Sequence, residues 1–141
     1  MGDLSPHFST HEFACKCKLI GGTREKGYCA GDVKTSDHLV RVLEQLIDDL
    51  TVDTTHRVRV IITSGYRCPQ YNRRVGGATH SQHCEGIAAD IVVKHDNGSA
   101  MSPDDVAQYL EDKYPDKYGI GRYKGWTHID VRNTKARWGN R

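Results

Sequence analysis

The spacing of apolar positions changes along the chain. Leu39, Leu43, Leu46 and Leu50 fall on one stripe at helical spacing, with Val40 and Ile47 beside it. That pattern predicts a helix from about Ser36 to Leu50, capped at its start by Ser36 or Asp37. The period then drops to two. Residues 57–64, Arg-Val-Arg-Val-Ile-Ile-Thr-Ser, are β-branched and partly alternating, which predicts a strand ended by Gly65. Residues 65–86 are rich in glycine, proline and polar side chains and read mostly as loop. Residues 88–94, Ala-Ala-Asp-Ile-Val-Val-Lys, predict a second strand, and Asp96-Asn97-Gly98-Ser99 a turn. Ser102-Pro103-Asp104-Asp105 combines an N-cap, a proline at the first helical position and acids in the first turn. The helix it opens should stop near Tyr114, before Pro115.

Gly119 to Arg122 fits a short strand, and Trp126 to Arg132 a last one. In that last strand Thr127, Ile129 and Val131 point one way, and Trp126, His128, Asp130 and Arg132 the other. Upstream, Ser9-Thr10-His11-Glu12 reads as a capping box opening a short helix that buries Phe13. Residues 20–35, with Gly21, Gly22, Gly27 and Gly31, read as a loop. The order of elements predicts an α+β domain: a small, mostly antiparallel sheet with helices on one face. A length of 141 residues suits one domain, 1–141, with one core.

Composition narrows the picture by exclusion. Twenty Lys and Arg against 18 Asp and Glu leave a formal charge of +2, so nothing demands nucleic acid as a partner. No apolar run approaches the roughly 20 residues a membrane helix needs. The start, Met1-Gly2-Asp3-Leu4-Ser5-Pro6-His7, lacks a basic region followed by an apolar stretch. The expectation is synthesis in the cytoplasm without a signal peptide, with delivery by another route. Five cysteines, at 15, 17, 29, 68 and 84, are an odd count that argues against a full disulfide framework.

Chemistry concentrates in Ser81-Gln82-His83-Cys84-Glu85-Gly86-Ile87-Ala88-Ala89-Asp90. A histidine leaves a loop, and an aspartate follows inside an apolar strand. An acid among Ala88, Ala89, Ile91, Val92 and Val93 needs a partner to be buried. Imidazole and carboxylate are both zinc ligands, and His128, on the polar face of the last strand, offers a third. Three protein ligands with an open position make a catalytic site rather than a structural one. The same residues also fit an Asp90–arginine pair with His83 capping a loop.

The pattern Ser81, His83, Gly86, Ala88, Asp90, followed by Trp126 and His128 and preceded by Ser64-Gly65-Tyr66-Arg67, resembles the zinc D-Ala-D-Ala carboxypeptidase family. Its relatives include vancomycin-resistance dipeptidases, phage L-Ala-D-Glu endolysins and the hedgehog signalling domain. The stretch Gly119 to Arg132 looks like the small branch found in phage and prophage proteins, and the resemblance spans roughly residues 4–138. It implies one catalytic zinc on His83, Asp90 and His128. It also implies Arg67 aimed at the scissile carbonyl, and Ser81, Tyr66 and Trp126 at the substrate. The implied activity is hydrolysis of a bond in peptidoglycan peptides, of the L-Ala-D-Glu endopeptidase or D-Ala-D-Ala carboxypeptidase type. The implied setting is a monomer acting in the periplasm or cell wall after release, or within a phage particle.

Two departures qualify the match. Many relatives carry an acid three residues before the last histidine as general base, and here that position is Gly125. Asp130 is the first substitute, sharing a strand face with His128 about 7 Å away, and Glu85 the second. Asp130 fits equally a group that orients a histidine ligand. Without a base, the chain would be a zinc-containing module that binds peptidoglycan or a protein without cutting it. The other departure is Cys84, next to a ligand, read as a buried small side chain. Cys15, Cys17, Cys29 and Cys68 leave three readings: a second, structural zinc site, disulfides formed after release, or plain reduced thiols. A thiol-based function on Cys15 and Cys17 lacks the sequence setting of an activated thiolate.

Overall fold

In the computed structural model, which describes residues 2–139, the apolar stripe of the long helix lies across one face of a five-stranded sheet. Helix α1 spans Asp37–Thr54, longer than its stripe predicts, and the Ser36 hydroxyl accepts the Leu39 N–H at 3.0 Å as its N-cap. Strand β1 is Val58–Ser64, β2 Ala88–His95, β3 Gly119–Arg122, β4 Thr127–Asp130 and β5 Ala136–Gly139. A short helix, α2, spans Pro69–Arg74, and α3 spans Pro103–Lys113. Ahead of α1 the helical elements among the described residues are three 3-10 turns, the first at Thr10–Phe13, where the Ser9 N–H donates to Glu12 Oε2 at 2.6 Å.

The strand order is β1-β2-β4-β3-β5. Three pairings are antiparallel and β3–β5 is parallel, so the sheet is mixed. The sheet is thus mostly antiparallel, as expected, with one parallel pairing at its edge. The α+β class and the expected strands stand, but the edge strand β5 lies beyond what reads as the last strand, and α2 lies within a stretch that reads mostly as loop. Neither carries a periodic apolar stripe, the signal that reveals an element in a sequence.

Alternation along the strands divides the sheet into two chemically distinct faces. Val58, Val60 and Ile62 of β1, Ala89, Ile91 and Val93 of β2, Ile120 of β3 and Ile129 of β4 share one core. Leu39, Leu43, Leu46 and Leu50 of α1 and Val106, Ala107 and Leu110 of α3 cover it. Helix α3 is tied to the strands below it: Thr127 Oγ1 donates to the Pro103 carbonyl at 2.9 Å, and Arg122 Nε to Glu111 Oε2 at 3.1 Å. Phe8 and Phe13, edge to face at 5.8 Å, belong to the same core. The opposite face carries Asp90, His128 and Asp130.

A β-bulge re-aims the end of β1. Ile62 pairs with Ile91, but the register then skips Thr63, so that Ser64 pairs with Asp90. Strict alternation would turn Ser64 toward the apolar core; the extra residue turns it toward the polar face. Among the described residues no helix is long and apolar enough to cross a membrane.

Candidate metal centre and active site

The antiparallel register of β2 and β4 sets Asp90 directly opposite His128. His83 arrives from the loop before β2. Its Nε2 lies 3.3 Å from Asp90 Oδ1, and His128 Nδ1 lies 3.1 Å from the same oxygen. One ligand atom from each residue lies within 4.8 Å of the others, and all three residues are buried.

The far side of each ring decides what the near side presents. His83 Nδ1 sits 2.7 Å from the Gly65 carbonyl, which can only accept, so Nδ1 carries the proton and Nε2 faces Asp90 with a lone pair. His128 Nε2 sits 2.7 Å from Asp130 Oδ2 and donates to that carboxylate, leaving Nδ1 as the lone pair toward Asp90. Two imidazole lone pairs and a carboxylate therefore converge with no proton between them. That donor set repels itself unless a cation sits within it, and it fits a divalent metal of the zinc type.

Charge in the site follows from the same contacts. Burial alone would raise the Asp90 carboxyl, but its contacts with His128 and His83 outweigh burial and hold the group well below the carboxylate range. Asp130 behaves alike, with Arg132 and His128 outweighing burial. Burial would lower the His128 pKa, but Asp130 and Asp90 raise it, so without a cation the ring favours a second proton that a metal at Nδ1 would displace.

Asp130 is fully buried and saturated. Besides His128 it accepts from Arg132 Nε at 2.8 Å, Arg132 Nη2 at 2.8 Å, and the backbone N–H groups of Arg132 and Gly119, both at 3.2 Å. Space for this cluster comes from glycine on β3. A Cβ on Gly119 would lie 2.3 Å from Asp130 Oδ2, and one on Gly121, opposite His128, 2.5 Å from Trp138 Nε1.

Arg67 reaches the site from the turn after β1. Its Nη2 donates to Asp90 Oδ2 at 3.2 Å, Nε to Ser64 Oγ at 3.1 Å, and Nη1 to Asn72 Oδ1 at 3.2 Å. Asn72, buried on α2, is itself held by donating Nδ2–H to the Ala78 carbonyl at 2.7 Å. Both the arginine pair and the histidine pair expected for Asp90 are thus present together.

A cleft of about 540 Å³ opens over these groups. Arg67, Ser81, His83, Asp90, Trp126 and His128 line it. Ser81 Oγ accepts the His83 N–H at 3.1 Å. Trp126 stacks on Tyr123 with ring centroids 4.7 Å apart. Trp138 closes the wall: its ring lies 4.9 Å from that of His128, and its Nε1 donates to Tyr123 Oη at 2.8 Å. Trp138, Tyr123 and Asn72 were not anticipated, because nothing near them in the sequence marks them as site residues.

Three expected residues lie elsewhere. Tyr66 packs against the cysteine cluster rather than facing the cleft, because Arg67, its neighbour, takes the inward direction. Glu85 is exposed and does not line the cleft. Asp130 lies behind His128, on the side of the ring away from Asp90. Cys84 is half-buried, not the enclosed side chain expected of it.

Cys15, Cys17, Cys29 and Cys68 form a second convergent group, with one sulfur from each within 4.8 Å of the others.

No curated protein and no solved structure gives a significant match to this chain. The Peptidase M15 family does, over residues 6–130. That span holds the β1 turn with Arg67, the loop and strand with His83 and Asp90, and the strand with His128. The match covers most of the chain and the whole His-Asp-His centre, and the chain belongs to the Peptidase M15 family of metallopeptidases.

Proposed function

We propose that this chain is a zinc peptidase that hydrolyses a bond in the stem or cross-link peptides of bacterial peptidoglycan. The observation that carries the reading is the convergence of His83, Asp90 and His128, with lone pairs inward, at the floor of an open cleft. Zinc, when bound by such ligands, acts as a Lewis acid and makes a water acidic enough to attack a peptide carbonyl near neutral pH.

The chain's own residues do the rest. Asp130 and the Gly65 carbonyl fix the two rings in the ligating tautomer. Of the two roles open to Asp130, its saturated hydrogen bonding favours orientation over proton transfer. Arg67, steadied by Ser64 and Asn72, supports negative charge developing on the scissile carbonyl oxygen. Asp90 is the single carboxylate among the lining residues, while Arg67 and Arg132 both line the cleft. That balance favours a substrate bearing carboxylates, as stem peptides do. His80, exposed on the rim, is the lining imidazole outside the ligand set, and we assign it the proton transfer that Gly125 does not perform.

The site is built within a single chain, which supports action as a monomer. Delivery to the cell wall after release, or as part of a phage particle, completes the reading.

The test is digestion of purified muropeptides, followed by mass analysis of the products. Release of D-Ala identifies a carboxypeptidase, and separation of L-Ala from the D-Glu-containing remainder an endopeptidase. Neither product should form with His83→Ala. A second reading, a binding module without hydrolysis, is favoured by the lack of an acid at position 125. Retention of the parent protein on insoluble peptidoglycan, with every muropeptide left intact, would select it.

A further inference from the structure

Outside the catalytic cleft, four cysteines from distant parts of the chain meet in one buried group. Cys15 and Cys17 flank the start of the 3-10 turn Lys16–Ile20, Cys29 follows the glycine-rich loop, and Cys68 caps α2. Cys15, Cys17 and Cys68 are almost wholly enclosed, with Tyr28, Tyr66 and Tyr71 packed around them.

The sulfur spacing discriminates among the chemistries open to such a group. Cys15 Sγ lies 3.8 Å from Cys68 Sγ, and Cys17 Sγ 3.7 Å from Cys29 Sγ. A disulfide needs about 2.05 Å. A tetrahedral thiolate site with metal–sulfur bonds of about 2.3 Å has sulfur–sulfur edges of about 3.8 Å. Both separations match an edge of that tetrahedron, and all four sulfurs lie within 4.8 Å of one another.

Backbone amides lie around the sulfurs. The Cys68 N–H points at Cys15 Sγ from 3.4 Å. Backbone hydrogen bonds from Gly31 and Ala30 reach Cys17, and from Asp32 and Gly31 reach Cys29. Ala30 and Gly31, next to Cys29, both hold positive φ, 62° and 93°, a conformation costly for alanine. Between Cys15 and Cys29 the chain has little else to fold it: Leu19 and Ile20 are exposed, and the stretch contains no strand and no α-helix.

We propose that Cys15, Cys17, Cys29 and Cys68 bind a structural zinc ion as a closed tetrathiolate site that clamps the N-terminal segment to the β1–α2 turn. That turn carries the Gly65 carbonyl and Arg67, and the Tyr66 N–H donates to the Phe13 carbonyl at 2.9 Å. The cysteine zinc therefore positions two groups of the catalytic cleft without touching it. The assignment is independent of the peptidase reading.

The experiment is metal analysis and alkylation on protein purified with zinc and without chelator. The parent should hold about two equivalents of zinc, and His83→Ala about one. Cobalt-loaded His83→Ala should show intense thiolate-to-cobalt charge-transfer absorption in the near ultraviolet, absent from a Cys17→Ser, His83→Ala double variant. Alkylation of the parent after denaturation with chelator and no reductant does not depend on any variant folding. All five cysteines should react. Reaction of a single cysteine would mean two disulfides and overturn the proposal. Five reactive cysteines without zinc or the cobalt band in His83→Ala would mean plain thiols and overturn it too, as would iron in place of zinc. One zinc that survives His83→Ala would sustain the cysteine site while removing the catalytic one.

Discussion

Asp130 accepts the Nε2–H of His128 at 2.7 Å, on the edge of the ring opposite the one that meets Asp90. A carboxylate two residues from a ligand on the same strand thus works from behind it. Arg132 and two backbone amides hold Asp130 in turn, so the ring orientation is set by a chain of buried contacts. Partners of this kind tune a metal ligand's basicity as well as its direction.

Replacing Asp130 with asparagine should weaken zinc binding at the histidine site by roughly 10–100-fold. Competition with a chromophoric chelator would measure it. The cysteine zinc should be unaffected, which separates a local effect from general unfolding. Unchanged affinity would show that His128 needs no anionic partner.

His80→Ala should keep both metals and lower kcat/KM by about a hundredfold, the size of a lost proton transfer. If muropeptide cleavage persists at the parent rate, another group moves the proton.

Gly121→Ala brings a methyl group against the Trp138 indole, a rigid neighbour with its own hydrogen bond to Tyr123. The variant should displace Trp138, expose the His128 face and lose about tenfold or more in kcat/KM, as misplacement near a reacting centre does. Trp138→Ala should mimic it. Intrinsic tryptophan fluorescence would report the displacement. Equal spectra and rates would show that β5 tolerates the methyl.

Acid sensitivity should arise in part at Glu44. Burial would raise this carboxyl, but hydrogen bonds from Ser5 Oγ and from His7, through its ring at 2.6 Å and its backbone at 2.7 Å, lower it overall. A group whose folded pKa is depressed adds stability above its unfolded value, near 4.3, and loses it as pH falls through the folded value. Glu44→Gln should cost about 1 kcal/mol at neutral pH, and the gap to the parent should close below about pH 4. Urea unfolding at both pH values would show it; a gap that persists in acid would mean the loss is packing rather than charge.

Local pattern was enough to determine the elements that bury an apolar face. Helix α1, strands β1 to β4 and helix α3 each announce themselves through periodicity or caps, because those positions must face one core. The His83, Asp90 and His128 set was legible through motif order, since a catalytic metal demands ligands of fixed type. What lacked a periodic signal was decided by tertiary contact. Strand β5 exists because β3 offers it an open edge. Trp138 joins the cleft because Gly121 leaves room for its ring, and Asn72 because a short α2 turns it under Arg67. The role of Asp130 was likewise ambiguous in one dimension: alternation shows that it shares a face with His128, and only the packed sheet shows that it stands behind the ring rather than over the cleft. The cysteines follow the same rule, because residue spacing along a chain leaves bridge, thiol and metal open, and only the fold brings the four sulfurs within 4.8 Å of one another.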